Sequence, residues 1–279
     1  MSKITIGVDN TADLNEETKK KHGFVSIYLG VVIGDKVHRC GDVAPEDVYE
    51  AVEKKNIVPK TNAALESDYE DFFKEATKDG GHVIHFSISD KLSASHANAK
   101  RAAEKFERVH VIDSKVLSGG TGILALMAQQ MKEDGKSADE IAKEATALAD
   151  KLDAGFIVND LLYLYRGGRV SGMKLLGANL LKIRPSLEMQ DGLLVPGKKF
   201  KGDFSKAVQE YAKHRIKQAG KINKEIVFIG HSDIDEKIIS KFVEDIKAVG
   251  FKHVIREVIG STVTTHCGRN TIGLGFFRE

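Results

Sequence analysis

The first half of the chain alternates short β-rich runs with amphipathic helical stretches, and that alternation constrains the fold most, because parallel strands need a helix-sized crossover between them. Lys3 to Asp9 reads as a strand, Leu14 to His22 as a helix stopped by Gly23, and Phe24 to Ile33 as a second strand. Pro45 to Lys55 reads as a helix with proline in its first turn, where the missing N–H costs nothing. After Pro59, Glu66 to Lys78 is helical, His82 to Ser87 strand, Ser93 to Phe106 helix, Val109 to Ile112 strand and Gly122 to Lys132 helix. Ser137-Ala138-Asp139-Glu140 has the form of a capping box and opens a helix to about Leu152.

Beyond that helix the pattern changes. Ile183 to Gln190, Asp191-Gly192 and Leu193 to Lys201 read as a hairpin, since Asp-Gly supplies the positive-φ residues of a two-residue turn. Helix and strand pairs follow, Phe204 to Gln218 with Glu225 to Gly230 and Asp235 to Val249 with His253 to Val258, before a last strand, Ile272 to Phe277. The boundary is expected near Leu152 to Gly155. The predicted fold is α/β in two domains: residues 1–153 as a parallel sheet flanked by helices, and 154–279 as an α/β domain with a hairpin-containing mixed or antiparallel sheet.

Composition removes several classes of function. A charged fraction of 29% beside 42% hydrophobic residues, in a chain of 279, is a globular balance with enough material for a core or an internal cavity. Lys+Arg number 42 against 40 Asp+Glu; the net charge of +2 lacks the footprint of a nucleic-acid binder, even with Lys198, Lys199, Lys201 and Lys206 close together. No run approaches the roughly 18 apolar residues of a membrane span, and Met1-Ser2-Lys3-Ile4 leads straight into a strand pattern, so a cytoplasmic location is expected. Cys40 and Cys267 lack zinc spacing and read as reduced thiols, so no metal is expected.

Chemistry-bearing clusters are few. No nucleotide-binding glycine loop with its lysine is present; Ser118-Gly119-Gly120-Thr121-Gly122 reads chiefly as close helix packing. Ser87 to Ser95 is a hydroxyl-rich loop after a buried strand, the place where open α/β sheets bind ligands; Ser93, at or beside a helix N-cap, either caps or faces an anion. Tyr165-Arg166-Gly167-Gly168-Arg169 is either a solvated turn or an arginine fork for an anion. Thr264 to Asn270 reads as a polar loop in which His266 is either structural or a donor, and Pro59-Lys60-Thr61-Asn62 places a hydroxyl after a proline-fixed bend. Brought together, Thr61, Ser93, Arg169 and His266 would make a polar head site at the domain junction.

In sequence order, Val8-Asp9-Asn10-Thr11-Ala12-Asp13-Leu14, Lys60-Thr61, Ser87-Ile88-Ser89 through Ser95, Val111-Ile112-Asp113-Ser114, Tyr165 to Arg169, Leu181-Lys182-Ile183-Arg184-Pro185 and Thr265-His266-Cys267-Gly268 resemble the DegV family of bacterial fatty-acid-binding proteins over essentially the whole chain. The resemblance implies one long-chain fatty acid between two domains, Thr61 and Ser93 contacting its carboxylate and Arg169 and His266 supporting them. It further implies a partner fatty acid kinase, with an ATP-binding subunit like that of dihydroxyacetone kinase, which converts the carboxylate to an acyl phosphate. The chain would then be a lipid-binding carrier without a cofactor, monomeric by default, in transient contact with membranes. Three departures stand out: Asn62-Ala63-Ala64 replaces a serine-glutamine-proline run, Arg269 after Gly268 places a cation near the head site, and Lys199-Phe200-Lys201 carries lysine where arginine often follows on the surface implicated in kinase docking. The competing reading is an enzyme, a lipid or acyl-ester hydrolase with Ser93 as nucleophile and His266 as base, against which stands the lack of a G-x-S-x-G elbow.

Overall fold

A computed structural model describes residues 3–39, 41–170 and 183–279. Cys40, the first two residues and Leu181-Lys182 of the Leu181 to Pro185 motif lie outside them. Strand β1 (Ile4–Asp9) leads through a 3-10 turn into helix α1 (Glu16–His22), which Asn15 caps and Gly23 ends at φ 67°. The run Phe24 to Ile33, expected as one strand, is two: β2 (Val25–Ile27) pairs parallel with β1, while β3 (Gly30–Ile33) departs for a separate antiparallel sheet. The chain switches sheets at Tyr28-Leu29, where the Leu29 N–H donates to Asn10 Oδ1 at 2.8 Å. The one local mark of that break is Gly30, which stands at the start of β3 inside an otherwise strand-like run.

Strand β4 (Lys36–Arg39) pairs with β3, and after helix α2 (Pro45–Glu53) strand β5 (Lys60–Asn62) takes β3's other edge, with Thr61 opposite Val31. The segment expected as a bend after Pro59 is thus extended. Its three ladder residues are too few to show a period. Helix α3 (Glu66–Thr77), strand β6 (His82–Ser87), helix α4 (Ser95–Ala103) and strand β7 (Val109–Asp113) complete a parallel four-stranded sheet of order β2-β1-β6-β7. Helix α5 (Gly119–Glu133) begins earlier than its apolar pattern indicates, and helix α6 (Ala138–Ala149) starts at the Ser137 capping box but ends before Leu152.

The segment around Leu152, expected as the end of that helix, is strand β8 (Leu152–Val158), which leads to helix α7 (Leu162–Gly167). The hairpin of β9 (Ile183–Gln190) and β10 (Leu193–Lys201) turns at Asp191 and Gly192 with φ of 50° and 80°, as the Asp-Gly signal requires. Helix α8 (Phe204–Ala219), strand β11 (Ile222–Ser232), helix α9 (Glu236–Lys247), strand β12 (His253–Val258), helix α10 (Ser261–Cys267) and strand β13 (Thr271–Arg278) follow. Together they form a mixed six-stranded sheet of order β10-β9-β8-β13-β11-β12, in which only β11 and β12 run parallel.

Helix α5 joins the two large sheets. Ile123, Leu124, Ala125 and Ala128 are buried in one cluster with Ile6 and Ile84 of the parallel sheet and with Ala154, Phe228 and Phe277 of the mixed sheet. A helix sandwiched in this way is apolar around most of its circumference, and its long polar side chains, Gln129, Gln130, Lys132 and Glu133, gather in its last turns. Its glycines permit close approach: a Cβ on Gly122 would lie 2.8 Å from the Ala12 carbonyl oxygen. Among the described residues no helix is long and apolar enough to cross a membrane.

Candidate functional site

A cavity of about 330 Å³ opens between the two sheets. From the first half of the chain its wall takes the segments just past the carboxyl ends of β1, β6 and β7, represented by Thr11, Ser93 and Leu117, together with Thr61 of β5. From the second half come Phe156 of β8, Leu164 of α7, and Val263, His266 and Cys267 of α10. Its volume falls within the range of small-molecule sites, and aliphatic and aromatic side chains form most of its depth.

Thr61, Ser93, Arg169 and His266 all face this one cavity. Thr61 Oγ1 and His266 Nε2 are 2.9 Å apart, a hydrogen bond between residues separated by most of the chain. Ser93 Oγ accepts from the Ser95 backbone N–H at 3.2 Å and lies 2.9 Å from Ser95 Oγ, which itself accepts from the Ala64 N–H at 3.3 Å. The α4 N-cap is Ala94, so Ser93 stands beside the cap. Arg169 is exposed at the rim and donates through Nη1 to the Gly167 carbonyl at 2.8 Å. Among the described lining residues it carries the only permanent charge.

Two of these environments differ from the loops expected. His266 sits in α10, because Thr264 N–H bonds Gly260 O and Gly268 N–H bonds Thr264 O, closing helical turns that a Ser/Thr-rich stretch does not advertise, while the Thr265 hydroxyl is satisfied by Ser261 O. Tyr165 to Gly167 belong to α7, and the turn contracts to Gly168 at φ 64°. Gly167 is where α7 meets α10: a Cβ there would stand 2.4 Å from His266 Nδ1. Burial, followed by the nearby Arg169 charge, pushes the imidazole pKa down to about 4, so His266 is neutral at physiological pH, and its Nδ1 has no hydrogen-bond partner among the described residues.

Thr11 and Thr262, which sequence reasoning left without a role, also line the cavity. Thr11 is 1% exposed and its hydroxyl oxygen lacks a partner among the described residues; Thr262 Oγ1 accepts from Asn10 Nδ2 at 3.2 Å. The available signal was the position of Thr11 directly after β1, at the same edge of the sheet as the Ser93 loop. Arg269 does not serve the head site. Its guanidinium is paired with Glu53 and Asp233 and lies 3.9 Å over the Tyr49 ring. Lys199 and Lys201 are exposed on β10, an outer strand of the mixed sheet, away from the cavity wall. No cluster of metal-ligating side chains occurs among the described residues.

The fold and the cavity define a class: an α/β protein whose two sheets enclose a largely apolar chamber with a hydroxyl-bearing wall. A family model described as "Uncharacterised protein, DegV family" matches residues 3–279, and the chain belongs to the DegV family. It is 30% identical over 280 residues to a fatty acid-binding protein of Thermotoga maritima, covering 98% of this chain and 97% of the relative. Two solved structures are similar throughout. A fatty-acid-binding DegV family protein of Thermus thermophilus superposes with a TM-score of 0.91 at 26% identity, over 99% of this chain and 100% of the other. A stearic acid-binding protein of Eubacterium ventriosum superposes with a TM-score of 0.84 at 26% identity, over 100% of this chain and 98% of the other.

Proposed function

We propose that the chain binds one long-chain fatty acid between residues 1–153 and 154–279 and presents its carboxylate to a separate fatty acid kinase. The observation that carries the reading is the cavity itself, lined mostly by apolar side chains and reached by Thr61, Ser93, Arg169 and His266 together. Each buried methylene contributes about 0.8 kcal/mol, so a long acyl tail supplies most of the affinity and the polar wall fixes orientation.

Hydroxyls suit that second task. With the neutral imidazole protonated at Nε2, His266 donates to Thr61 Oγ1 and leaves the threonine proton free for a carboxylate oxygen. With Ser95 as the donor of the hydroxyl pair, the same holds for Ser93: Ser95 Oγ accepts from Ala64 N–H, its proton goes to Ser93 Oγ, and the Ser93 proton is left for the ligand. The ligand is then held by hydrogen bonds without a buried ion pair, and a carboxylate oxygen stays nucleophilic. In the partner's active site that oxygen attacks the γ-phosphorus of ATP, forming the acyl phosphate as the bond to ADP breaks. The kinase step rests on the family resemblance of the sequence and on the lack of a nucleotide-binding loop in it; Lys199 and Lys201, exposed on an outer strand, are the proposed docking residues. A hydrolase using Ser93 and His266 has less support, because the Ser93 hydroxyl is engaged with Ser95 and the imidazole with Thr61.

Native mass spectrometry tests the binding step. The purified chain is expected to carry, or take up from palmitate and oleate, one adduct of fatty-acid mass. Ser93→Ala combined with Thr61→Ala is expected to weaken retention about a hundredfold or more with the fold intact, as the loss of two hydrogen bonds to a charged group implies. A chain that takes up neither acid overturns the reading.

A further inference from the structure

Beside the main cavity lies a smaller void of about 50 Å³, and Leu117, Phe156, Val263 and Cys267 line both. The two spaces therefore lie against one another across these four side chains. The void runs between the first turn of α5 and the strands β8, β13 and β11, where Gly119, Gly120, Gly155, Gly230, Gly273 and Gly275 stand in its wall. Close-packed interiors rarely leave such space, and an empty one costs stability. Of these glycines, Gly275 is the one where an added Cβ would meet only ordinary contacts, and Gly119 and Gly230 leave the room that the Phe228 ring takes.

Phe228 lines this void and not the main cavity, and it is 3% exposed. Its ring is clamped in place: a Cβ on Gly119 would lie 2.0 Å from Phe228 Cγ, and one on Gly230 2.7 Å from Phe228 Cε1. Glycine at both positions is what allows the ring to occupy its site.

We infer that the void receives the methyl end of the acyl chain and that Phe228 is its end stop, the residue that determines which chain length fits. This rests on the fatty-acid reading above. A chain held by its carboxylate at Thr61 and Ser93 runs down the apolar wall, passes between Leu117 and Phe156, and enters the glycine slot. Methylenes that fit there gain burial. Those that would extend past the slot meet an immobilised ring in a packed core and are rejected by overpacking.

The test is competition for uptake among equimolar even-numbered saturated acids from dodecanoic to icosanoic, read by native mass spectrometry on the full chain and two variants. Phe228→Ala is expected to move the preferred length up by about two carbons, an increase of about fifteenfold in relative retention if both added methylenes are buried. Gly275→Ala acts in the opposite sense and does not depend on truncating the core: its Cβ would lie 3.4 Å from Gly120 Cα, an ordinary contact, while occupying the slot. Its optimum is expected to move to shorter acids, and it decides the question if Phe228→Ala yields no folded protein. Uptake by all folded chains with one unchanged length profile overturns the end-stop assignment alone. No uptake by the native chain overturns the fatty-acid reading and this inference with it.

Discussion

Asp13 is buried in the left-handed region at φ 48°, accepting from Ser118 Oγ at 2.5 Å and from the Gly260 N–H at 2.9 Å. Burial pushes its carboxyl pKa up to about 7, against the lowering effect of those two hydrogen bonds. The folded chain therefore binds more protons here than the unfolded one between about pH 4 and 7, and this group's contribution to stability grows as pH falls through that window. Asp13→Asn keeps an acceptor and removes the buried charge. It is expected to stabilise the fold at pH 8 by about 1–3 kcal/mol, below the full linkage of such a shift, and to flatten the pH dependence of urea unfolding between 7 and 4. His266 works in the opposite direction, since its depressed pKa makes its contribution complete above about pH 6.5 and lost as pH falls toward 4. At this scale the sequence shows residue types: a serine beside a helix start and arginines beside glycines are visible without coordinates. The partner of each is not, because Thr61 and His266 are 205 positions apart.

The β9–β10 hairpin and helix α10 mark the two extremes of what an element's own residues disclose. Asp191-Gly192 encodes its turn locally, since positive φ at both positions depends only on what side chains cost there. Its tertiary role is not encoded locally: the Ser89 hydroxyl donates to the Gly192 carbonyl at 2.7 Å, so the hairpin tip braces the loop that carries Ser93. Gly192→Ala places a Cβ 2.8 Å from Ser89 Oγ at φ 80°, and thermal or urea unfolding is expected to show a loss of about 1–3 kcal/mol. Helix α10, in contrast, has a sequence of low helix propensity, Ser-Thr-Val-Thr-Thr-His-Cys, and most of its residues are buried. Packing supplies what propensity does not. For the same reason β3 and β5 were illegible as partners: three or four residues each, paired only across the folded chain.

At the scale of the molecule, cavity and seam coincide. Hydrogen bonds from Asn10 to Thr262, Asn15 to Glu257 and Gly260 to Asp13 tie the loops of the parallel sheet to the segment that carries His266. Lys199 lies outside this seam on β10. If that strand docks the kinase, Lys199→Glu is expected to reduce acyl phosphate formation in a coupled assay at least about tenfold while the lipid adduct persists; undiminished coupling would remove the docking assignment. The sequence by itself determined the alternation of strands and helices, the hairpin, the capped helices and the types of residue available for a head group, because each follows from local sterics and from the period at which apolar side chains recur. Only the tertiary structure decided that one β-rich run divides between two sheets, that α5 is shared by both large sheets, and that Thr61, Ser93, Arg169 and His266 surround a single hollow. Those outcomes depend on contacts between residues far apart in the chain, whose energies no local pattern contains.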